Sequence, residues 1–490
     1  MSDLENLLNF DRQTQALNQI SGRLGWDQET MMPSGSAEQR GQEMAAIEGV
    51  LHARRSDPKI GEWLSNLDIS ADLAVTAQVR EIRRSYERAL KVPADLAEAI
   101  AQKTSVAQGK WAGARAADDF AAFAPVLEEV LKLKREEGLA LASGADVYDA
   151  MLQDYEPGIS SADLDNMFGA MRPGLIDLRA KILEKEPANS LKGTFDDATQ
   201  MRLARLLAQT FGYDLSKGRI DKAVHPFSSG SGRDVRITTR TDLDDPFNCI
   251  YSTIHEVGHG AYEQNVNPEF TLTSIGQGAS MGVHESQSRI YENQMGRGQA
   301  FTAWLFDQMT AHFGDMGISN SYEFYKSVNR VNRGFIRTEA DEVQYNLHIL
   351  LRFDLERAMI SGDLQVKDLE AAWNDRFLAD FGYGVERASQ GCLQDVHWSV
   401  GLFGYFPTYS LGNVYAGCLN QTLRLDVPDL DEHLRAGQTV PATRWLKENL
   451  QQYGLLKTPS ETITDACRFE PSEAPLLNYL NTKFTKIYNL

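Results

Sequence analysis

Residues 247–262 read FNCIYSTIHEVGHGAY, and the middle of this segment is His255-Glu256-Val257-Gly258-His259. Apolar residues recur around the two histidines at the three- and four-residue spacing of an amphipathic helix. The spacing predicts a helix from Phe247 to Tyr262 whose histidines lie one turn apart. We expect its buried sides to contain Phe247, Ile250, Tyr251, Ile254, Val257 and Ala261.

Most of the chain outside this segment shows the same helical periodicity. Pro93 interrupts the longest helical run, and Ser143-Gly144 ends it. No internal repeat and no Pro/Gly/Ser-rich linker divides the 490 residues. We therefore expect a mostly α fold, a large helical domain spanning residues 1–490, in which two lobes around a groove are an option. The periodic runs cover 71–141, 161–184, 198–211, 301–313, 346–360 and 369–381.

The sequence predicts one short strand just before the quoted segment. Residues 234–238 read Asp-Val-Arg-Ile-Thr, and this alternation puts Asp234, Arg236 and Thr238 on one face of a strand. A turn at 242–246 then leads into the helix. The pattern predicts a small β element beside that helix. Its edge either binds an extended peptide through main-chain hydrogen bonds or belongs to an ordinary amphipathic strand.

The charge balance narrows the classes of partner. The chain has 49 basic and 68 acidic residues, a net charge of -19. Nucleic acids and anionic membrane surfaces bind basic patches, so we expect no nucleic-acid and no membrane partner. The acidic charge either serves solubility or attracts basic peptides to a groove.

Cysteine usage and the N-terminal sequence point to one compartment. Cys249, Cys392, Cys418 and Cys467 show no C-x-x-C spacing, so we expect reduced thiols. The N-terminus lacks the basic and apolar regions of a secretory signal, and no run of 18 apolar residues predicts a membrane span. These features together predict a cytoplasmic protein.

The H-E-x-x-H motif carries the chemistry of a metallopeptidase. Residues four apart share a helix face, so His255 and His259 can bind one ion. Glu256 lies about 100° around the helix from His255, where it can act on water as a general base. The alternative is a pair of core histidines without a metal.

A catalytic zinc ion needs a third protein ligand. A histidine six residues after His259 would supply one in some zinc enzymes, but that position is Asn265. Glu285 follows a glycine-rich turn and is the leading candidate. Glu263 and Glu269 remain open as alternatives on the residues alone.

Seven segments spread along nearly the whole chain carry a resemblance to a known family. They are LGWDQETMMP (24–33), HPF (225–227), DVRIT (234–238), HEVGH (255–259), HESQSR (284–289), IRTEAD (336–341) and GCLQDVHW (391–398). With these ordered motifs the sequence resembles the carboxypeptidase Taq family of metallocarboxypeptidases.

This resemblance implies properties that the residues alone do not give. It implies that Glu285 is the third ligand of Zn²⁺, for which Co²⁺ or Mn²⁺ could substitute. It implies a mostly helical fold with a deep central groove, and a homodimer. It also implies removal of single residues from the free C-terminus of peptides, with broad specificity and poor release of proline.

Two further roles need residues away from the metal. A tetrahedral oxyanion needs a hydrogen-bond donor, for which Tyr409 is the first candidate and His397 and His225 compete. For Tyr409 a purely aromatic core role is the alternative.

An arginine can bind a terminal carboxylate because its planar guanidinium donates hydrogen bonds to both oxygens. Arg337 leads here, with Arg236 and Arg289 as alternatives and a structural salt bridge as the competing role for each. Gln394, Asp395 and His397 either line the groove or form a buried polar network.

Several questions stay open at this level. Ligating histidines usually donate their second N–H to a carboxylate, and Asp341, Glu339 and Glu342 are candidates. Gly258 and Gly260 indicate close approach of another backbone or of substrate, or simple packing. A zinc oligoendopeptidase or aminopeptidase, and a non-catalytic helical peptide-binding protein, are the rival functions.

Overall fold

The computed structural model describes residues 2–67 and 72–490, which group into two compact units. The first unit comprises Met1–Leu90, Ala188–Val328 and Tyr415–Pro471. The second comprises Lys91–Pro187, Asn329–Val414 and Ser472–Leu490. The single domain over residues 1–490 and its central groove stay predictions.

Helices dominate the described chain, which confirms the predicted fold class. The helices before the strands are α1 Asp3–Thr30, α2 Ala37–Arg55, α3 Pro58–Ser65, α4 Leu73–Lys91, α5 Ala94–Ala117, α6 Phe120–Ala142, α7 Val147–Leu152, α8 Ser161–Leu183 and α9 Asp197–Thr210. Those after the strands are α10 Phe247–Asn265, α11 Met281–Arg289, α12 Gln299–Phe313, α13 Ser321–Val328, α14 Glu342–Ser361, α15 Leu369–Phe381, α16 Pro407–Asp426, α17 Leu430–Arg435, α18 Val440–Asn449, α19 Pro459–Cys467 and α20 Ala474–Tyr488.

The periodic runs match these helices closely. The run at 369–381 coincides with α15, and the quoted segment extends by three residues to give α10. The long run at 71–141 divides into α4, α5 and α6, and Pro93 lies at the first break. Its first residue, Ala71, lies outside the described residues.

Three short strands form one sheet in the order β1-β3-β2, with β1 Ile220–Lys222, β2 Ser228–Ser229 and β3 Arg236–Thr239. β3 pairs in parallel with β1 and antiparallel with β2. The predicted strand therefore has hydrogen-bonded neighbours on both sides, and the expectation that its edge could receive a peptide is wrong. Thr238, expected on the polar face, is instead buried. Its hydroxyl is satisfied there by hydrogen bonds with the backbone N–H and carbonyl of Phe227.

The helix α10 lies in the core of the first unit. It packs against α9, α11 and β3, which confirms a small β element beside the H-E-x-x-H helix. The carboxylate of Asp245 accepts a hydrogen bond from the N–H of Phe247 and caps the first turn. Of the six residues expected on its buried sides, all but the partly exposed Phe247 are buried. This packing fixes the helix that carries both histidines.

The second unit is built around α14. This helix packs against α7, α8 and α15, and it is buried along most of its length. Trp373 and Phe377 of α15 contribute large buried side chains. Among residues 2–67 and 72–490, no helix is both long and apolar enough to cross a membrane.

Candidate active site

The two histidines of α10 and Glu285 of α11 lie close enough to share one ion. Nε2 of His255 lies 3.7 Å from Oε2 of Glu285, and Nε2 of His259 lies 3.4 Å from it. One ligand atom of each residue lies within 4.8 Å of the other two. Tetrahedral coordination with bonds of about 2.0–2.2 Å separates ligand atoms by roughly 3.4 Å. The donor set and its spacing therefore fit a divalent metal, and the fold brings together the three ligands expected from the sequence.

Gly258 allows α11 to approach α10 at this point. A Cβ atom on Gly258 would lie 2.5 Å from the carbonyl oxygen of Gln287 and 2.6 Å from Cα of Ser288. A Cβ on Gly260 would instead meet the ring of Tyr213 at 2.9 Å. Close approach of another backbone is confirmed as the reason for Gly258, and side-chain packing explains Gly260. The helix contact carries Glu285 to the histidines.

The carboxylate of Glu285 is held with its two oxygens in different roles. Oε1 accepts a hydrogen bond from Nε of Arg289 at 2.7 Å. Oε2 accepts one from the hydroxyl of Ser288 at 3.2 Å and faces both imidazoles. Burial would raise the pKa of Glu285, but Arg289 and the histidines lower it well below its usual value. An ionised oxygen is thus presented where a cation would bind.

His255 is supported by a carboxylate. Its Nδ1 lies 2.9 Å from Oε2 of Glu292, which leaves Nε2 for a metal. Glu292 lies in a π-helix, Ile290–Gly296, that continues α11, and π-helical turns are frequent at functional sites. Burial would raise the pKa of Glu292, but His255, Arg289 and Arg297 lower it to about 2. The ion pair to Arg289 also ties Glu292 to the group that holds Glu285.

His259 is supported by a second imidazole. Its Nδ1 lies 2.6 Å from Nδ1 of His284, whose Nε2 lies 2.9 Å from Oε1 of Glu263. The same oxygen of Glu263 accepts the N–H of Gly278 at 2.9 Å. Burial lowers the pKa of His259 to about 3. The imidazole is therefore neutral near pH 7, which is the form that binds metals.

Glu256 is buried beside the three candidate ligands and is only 6% exposed. Its Oε2 has no hydrogen-bond partner among the described residues. Burial raises the pKa of Glu256 to about 7, although the neighbouring His255 opposes the shift. A carboxyl group whose pKa lies near neutrality can both take up and release a proton at working pH.

The residues behind the two imidazoles were missed by the sequence analysis. The acids expected in this role, Asp341, Glu339 and Glu342, are not the partners. Asp341 caps α14 through the N–H groups of the residues that follow it, and Glu342 pairs with Lys483. Glu292 follows Glu285 by seven residues, but the π-helix at 290–296 departs from α-helical periodicity, so this spacing alone did not place Glu292 behind His255. Glu263, considered as a ligand, instead supports His284.

Arg337 lies in a buried cluster of the second unit. Its Nε and Nη2 donate to Oδ1 of Asp395 at 3.0 and 2.9 Å, and Nη1 donates to the hydroxyl of Tyr345. Arg352, which is fully buried, donates through Nε to Oδ2 of Asp395 at 2.7 Å. Burial would raise the pKa of Asp395, but the two arginines lower it far below its usual value. One carboxylate thus faces two guanidinium groups, and the cluster carries an excess positive charge.

Gln394 and His397 lie next to this cluster. Oε1 of Gln394 accepts the backbone N–H of Arg337, and its Nε2 donates to the carbonyl of Phe335. His397 lies with Nε2 3.3 Å from the hydroxyl of Tyr409. Burial lowers the pKa of His397 to about 4. The contacts of Gln394 are those of the buried polar network considered as its alternative role.

Two other substrate-binding candidates lie in the first unit. Arg236 donates through two nitrogens to Asp234, at 2.8 and 3.0 Å, and lies over the ring of Trp26. His225 is exposed. Arg289 is held by Glu285 and Glu292, so its guanidinium supports the candidate ligand Glu285 and the carboxylate behind His255. Binding of substrate by Arg236 or His225 stays a prediction.

Comparison with known proteins places this geometry in context. The family model described as carboxypeptidase Taq (M32) metallopeptidase matches residues 6–484. Thermostable carboxypeptidase 1 of Thermus thermophilus is 39% identical to this chain, over 99% of the chain and 98% of the relative.

Solved structures are similar over the same length. The crystal structure of the M32 carboxypeptidase from Deinococcus radiodurans superposes with a TM-score of 0.95 at 32% identity, covering 100% of both chains. Metallocarboxypeptidase 1 of Trypanosoma cruzi gives a TM-score of 0.95 at 32% identity, covering 98% of this chain and 99% of that one. The similarity thus extends over both compact units.

Proposed function

This chain belongs to the carboxypeptidase Taq (M32) family of metallopeptidases, and from that premise we propose that it is a zinc enzyme that releases single residues from the free C-terminus of peptides. Family membership makes it a peptide hydrolase with a metal cofactor. Zinc as the metal, broad specificity with poor release of proline, and the roles of individual residues are the proposed part.

One observation carries the proposal. Nε2 of His255, Nε2 of His259 and Oε2 of Glu285 converge with the spacing of a tetrahedral site. We therefore propose these residues as the metal ligands. Two imidazoles and one carboxylate with an open fourth position are typical of catalytic rather than structural zinc. Co²⁺ or Mn²⁺ could fill the same donor set.

The chemistry divides between the cofactor and the chain. When bound, zinc supplies Lewis-acid polarisation of the scissile carbonyl and makes water a stronger nucleophile near neutral pH. Glu256 takes the proton of the attacking water and then delivers it to the leaving amine. The burial of Glu256 and its unpartnered Oε2 support this role, because a buried carboxylate oxygen without a protein donor needs a hydrogen-bond partner, which a bound water would supply.

Two roles are proposed for the second unit. Arg337 binds the terminal carboxylate of the peptide, and the excess positive charge it shares with Arg352 supports this role, because a buried charge needs an opposite partner. Tyr409 donates a hydrogen bond to the oxyanion; the residue is half-buried and its hydroxyl lies 3.3 Å from Nε2 of His397, which supports that role.

The remaining proposals concern assembly and location. We propose a homodimer, as the resemblance to the family implies. We also propose a cytoplasmic location, which is supported by four free, buried cysteines and by the acidic composition. Analytical ultracentrifugation tests the first proposal, because a single species of about 55 kDa would contradict it.

The central experiment pairs metal analysis with blocked peptides. Purified protein should contain about one metal ion per chain, and exhaustive chelation should abolish hydrolysis that added Zn²⁺ restores. Of two peptides that differ only in a free or an amidated C-terminus, the enzyme should cleave the free one. Equal cleavage of both peptides would indicate an oligoendopeptidase or an aminopeptidase. A protein without metal and without hydrolysis would indicate a peptide-binding protein instead.

A further inference from the structure

The two proposed histidine ligands differ in what lies behind them. His255 contacts the carboxylate of Glu292 directly through Nδ1, at 2.9 Å. Within residues 2–67 and 72–490, His259 contacts no carboxylate through its Nδ1. That atom lies 2.6 Å from Nδ1 of His284, and a carboxylate follows only beyond the second ring. The proposed mechanism gives His284 and Glu263 no role.

Hydrogen-bonding rules fix the hydrogens in this chain of groups. The Oε1 of Glu263 is an acceptor only, and it already accepts the N–H of Gly278. Nε2 of His284, 2.9 Å from that oxygen, must therefore carry a hydrogen. In a neutral ring the Nδ1 of His284 is then an acceptor, so the 2.6 Å contact requires His259 to donate from its own Nδ1. The lone pair of His259 is left on Nε2, the atom that faces Glu285.

We propose that His284, anchored by Glu263, is a positioning residue that holds His259 in its metal-binding tautomer and ring orientation. This inference rests on the proposed function, since it concerns a ligand of the proposed metal. A metal-bound histidine commonly donates its second N–H to a carboxylate or carbonyl that fixes its orientation. Here the imidazole of His284 takes that place, so Glu263 positions His259 through one additional ring.

The surroundings of His284 hold its ring in place. A Cβ atom on Gly278 would lie 2.6 Å from Cδ2 of His284 and 3.2 Å from Oε1 of Glu263. The ring of Tyr262 lies 5.1 Å from the His284 ring, and its hydroxyl accepts the N–H of Ala279. The loop before α11 therefore packs against the imidazole of His284, and the ring fits because position 278 has no side chain.

The helix geometry explains why one residue can bridge the other two. Glu263 follows His259 by four residues on α10, so both side chains project from the same face. His284 projects from the first turn of α11 and lies between them. His284 also directly precedes Glu285 in the chain, so one helix turn delivers both a proposed ligand and the support for another ligand.

The test measures the affinity for Zn²⁺ by competition with a chromophoric chelator. We expect His284→Leu, which keeps an apolar filler but no acceptor, to weaken binding about 10- to 100-fold. His284→Asn places an amide oxygen near the position of Nδ1 and should recover most of that loss. Thermal unfolding of the metal-free variants provides the control, because a purely structural role would lower that midpoint and leave the affinity unchanged.

A second variant keeps the inference testable if His284→Leu does not fold. Gly278→Ala removes no hydrogen-bonding side chain but pushes against the His284 ring, so it should also weaken Zn²⁺ binding. Wild-type affinity in a folded His284→Leu or Gly278→Ala protein would overturn the inference while leaving the proposed function intact. Wild-type protein that binds neither Zn²⁺ nor Co²⁺ would overturn both together.

Discussion

The proposed metal-ligand cluster of the first unit and the arginine cluster of the second unit have opposite charge balances. Around the proposed ligands, Glu256, Glu263, Glu285 and Glu292 provide four carboxyl groups against the guanidinium groups of Arg289 and Arg297. Around Asp395, two buried guanidinium groups share one carboxylate. Buried charge is tolerated only when it is compensated, so the first cluster suits a cation and the second an anion.

The difference shows how each cluster relates to its proposed ligand. In the first cluster the acids are arranged in layers, since Glu285 faces both imidazoles where a cation would bind, Glu292 contacts His255, and Glu263 contacts His284 behind His259. In the second, Nε and Nη2 of Arg337 and Nε of Arg352 are already directed at Asp395, which orients both groups. Substitutions at Glu256, Glu285, Arg337 and Glu356 test this contrast.

Replacing the proposed base should give the largest loss. We expect Glu256→Gln to keep its metal and fold and to lose about 10²- to 10⁴-fold in kcat, because the amide cannot accept a proton. Steady-state kinetics on metal-loaded protein measure the loss, and metal analysis is the control. Near-normal turnover in the loaded variant would show that another group accepts the proton.

Removal of the proposed carboxylate ligand should act on the metal itself. We expect Glu285→Gln to weaken Zn²⁺ binding by more than the roughly 100-fold that marks the upper end for supporting residues. The matched control is Glu269→Gln, because Glu269 is an exposed acid four residues after the end of α10. This variant should bind Zn²⁺ normally. Unchanged metal content in the Glu285 variant would place the third ligand elsewhere.

The arginine cluster should act on the substrate and leave the metal unaffected. We expect Arg337→Lys to lower kcat/KM for a peptide with a free C-terminus about 10- to 100-fold, because a single ammonium cannot replace the planar fork. Residual cleavage of the amidated peptide should change little. Arg236→Lys is the comparison variant, and a larger loss there would transfer the role to Arg236.

The smallest expected effect concerns Glu356, a buried acid on α14 beside the arginine cluster. It accepts hydrogen bonds from Trp398, Tyr148 and the N–H of Gly404, yet burial raises its pKa from 4.5 to about 7. The folded state then holds a proton that the unfolded chain releases between about pH 4.5 and pH 7. The free energy of unfolding should therefore fall by up to about 3 kcal/mol as the pH rises through that window, and then level off.

Denaturant unfolding of wild-type protein and Glu356→Gln between pH 5 and pH 8 measures this contribution. The difference between the two proteins should shift in favour of the variant as the pH rises. Glu386→Gln, at an exposed position of the same unit, is the control and should show no such trend. A difference that is constant with pH would contradict the assignment.

Much of the fold and part of the site were predictable because they depend on local spacing. The bounds of α15 and the start of α10 followed from apolar periodicity, and the pairing of His255 with His259 followed from residues one turn apart. The strand was also found, but its two neighbours were not. β1 and β2 are too short to leave a clear pattern, so the predicted free edge was wrong.

Tertiary packing alone selected the supporting residues. Asp341, Glu339 and Glu342 were reasonable supports for the histidines on composition, yet Glu292 and His284 hold those positions. The π-helical turn at 290–296 sets the direction of the Glu292 side chain, and no sequence pattern predicted that turn. The pairing of Arg337 and Arg352 through Asp395 likewise joins residues 43 to 58 positions apart.

Local spacing was enough to predict the mostly helical class and the helix that carries both histidines, because both depend on interactions between residues three or four apart. The groups behind each imidazole, and the carboxylate shared by the two arginines, followed only from the folded structure. Those contacts depend on helix-to-helix distances, such as the close approach at Gly258, and on burial. Burial raises the free-energy cost of an unpartnered charge and so determines which side chains must meet.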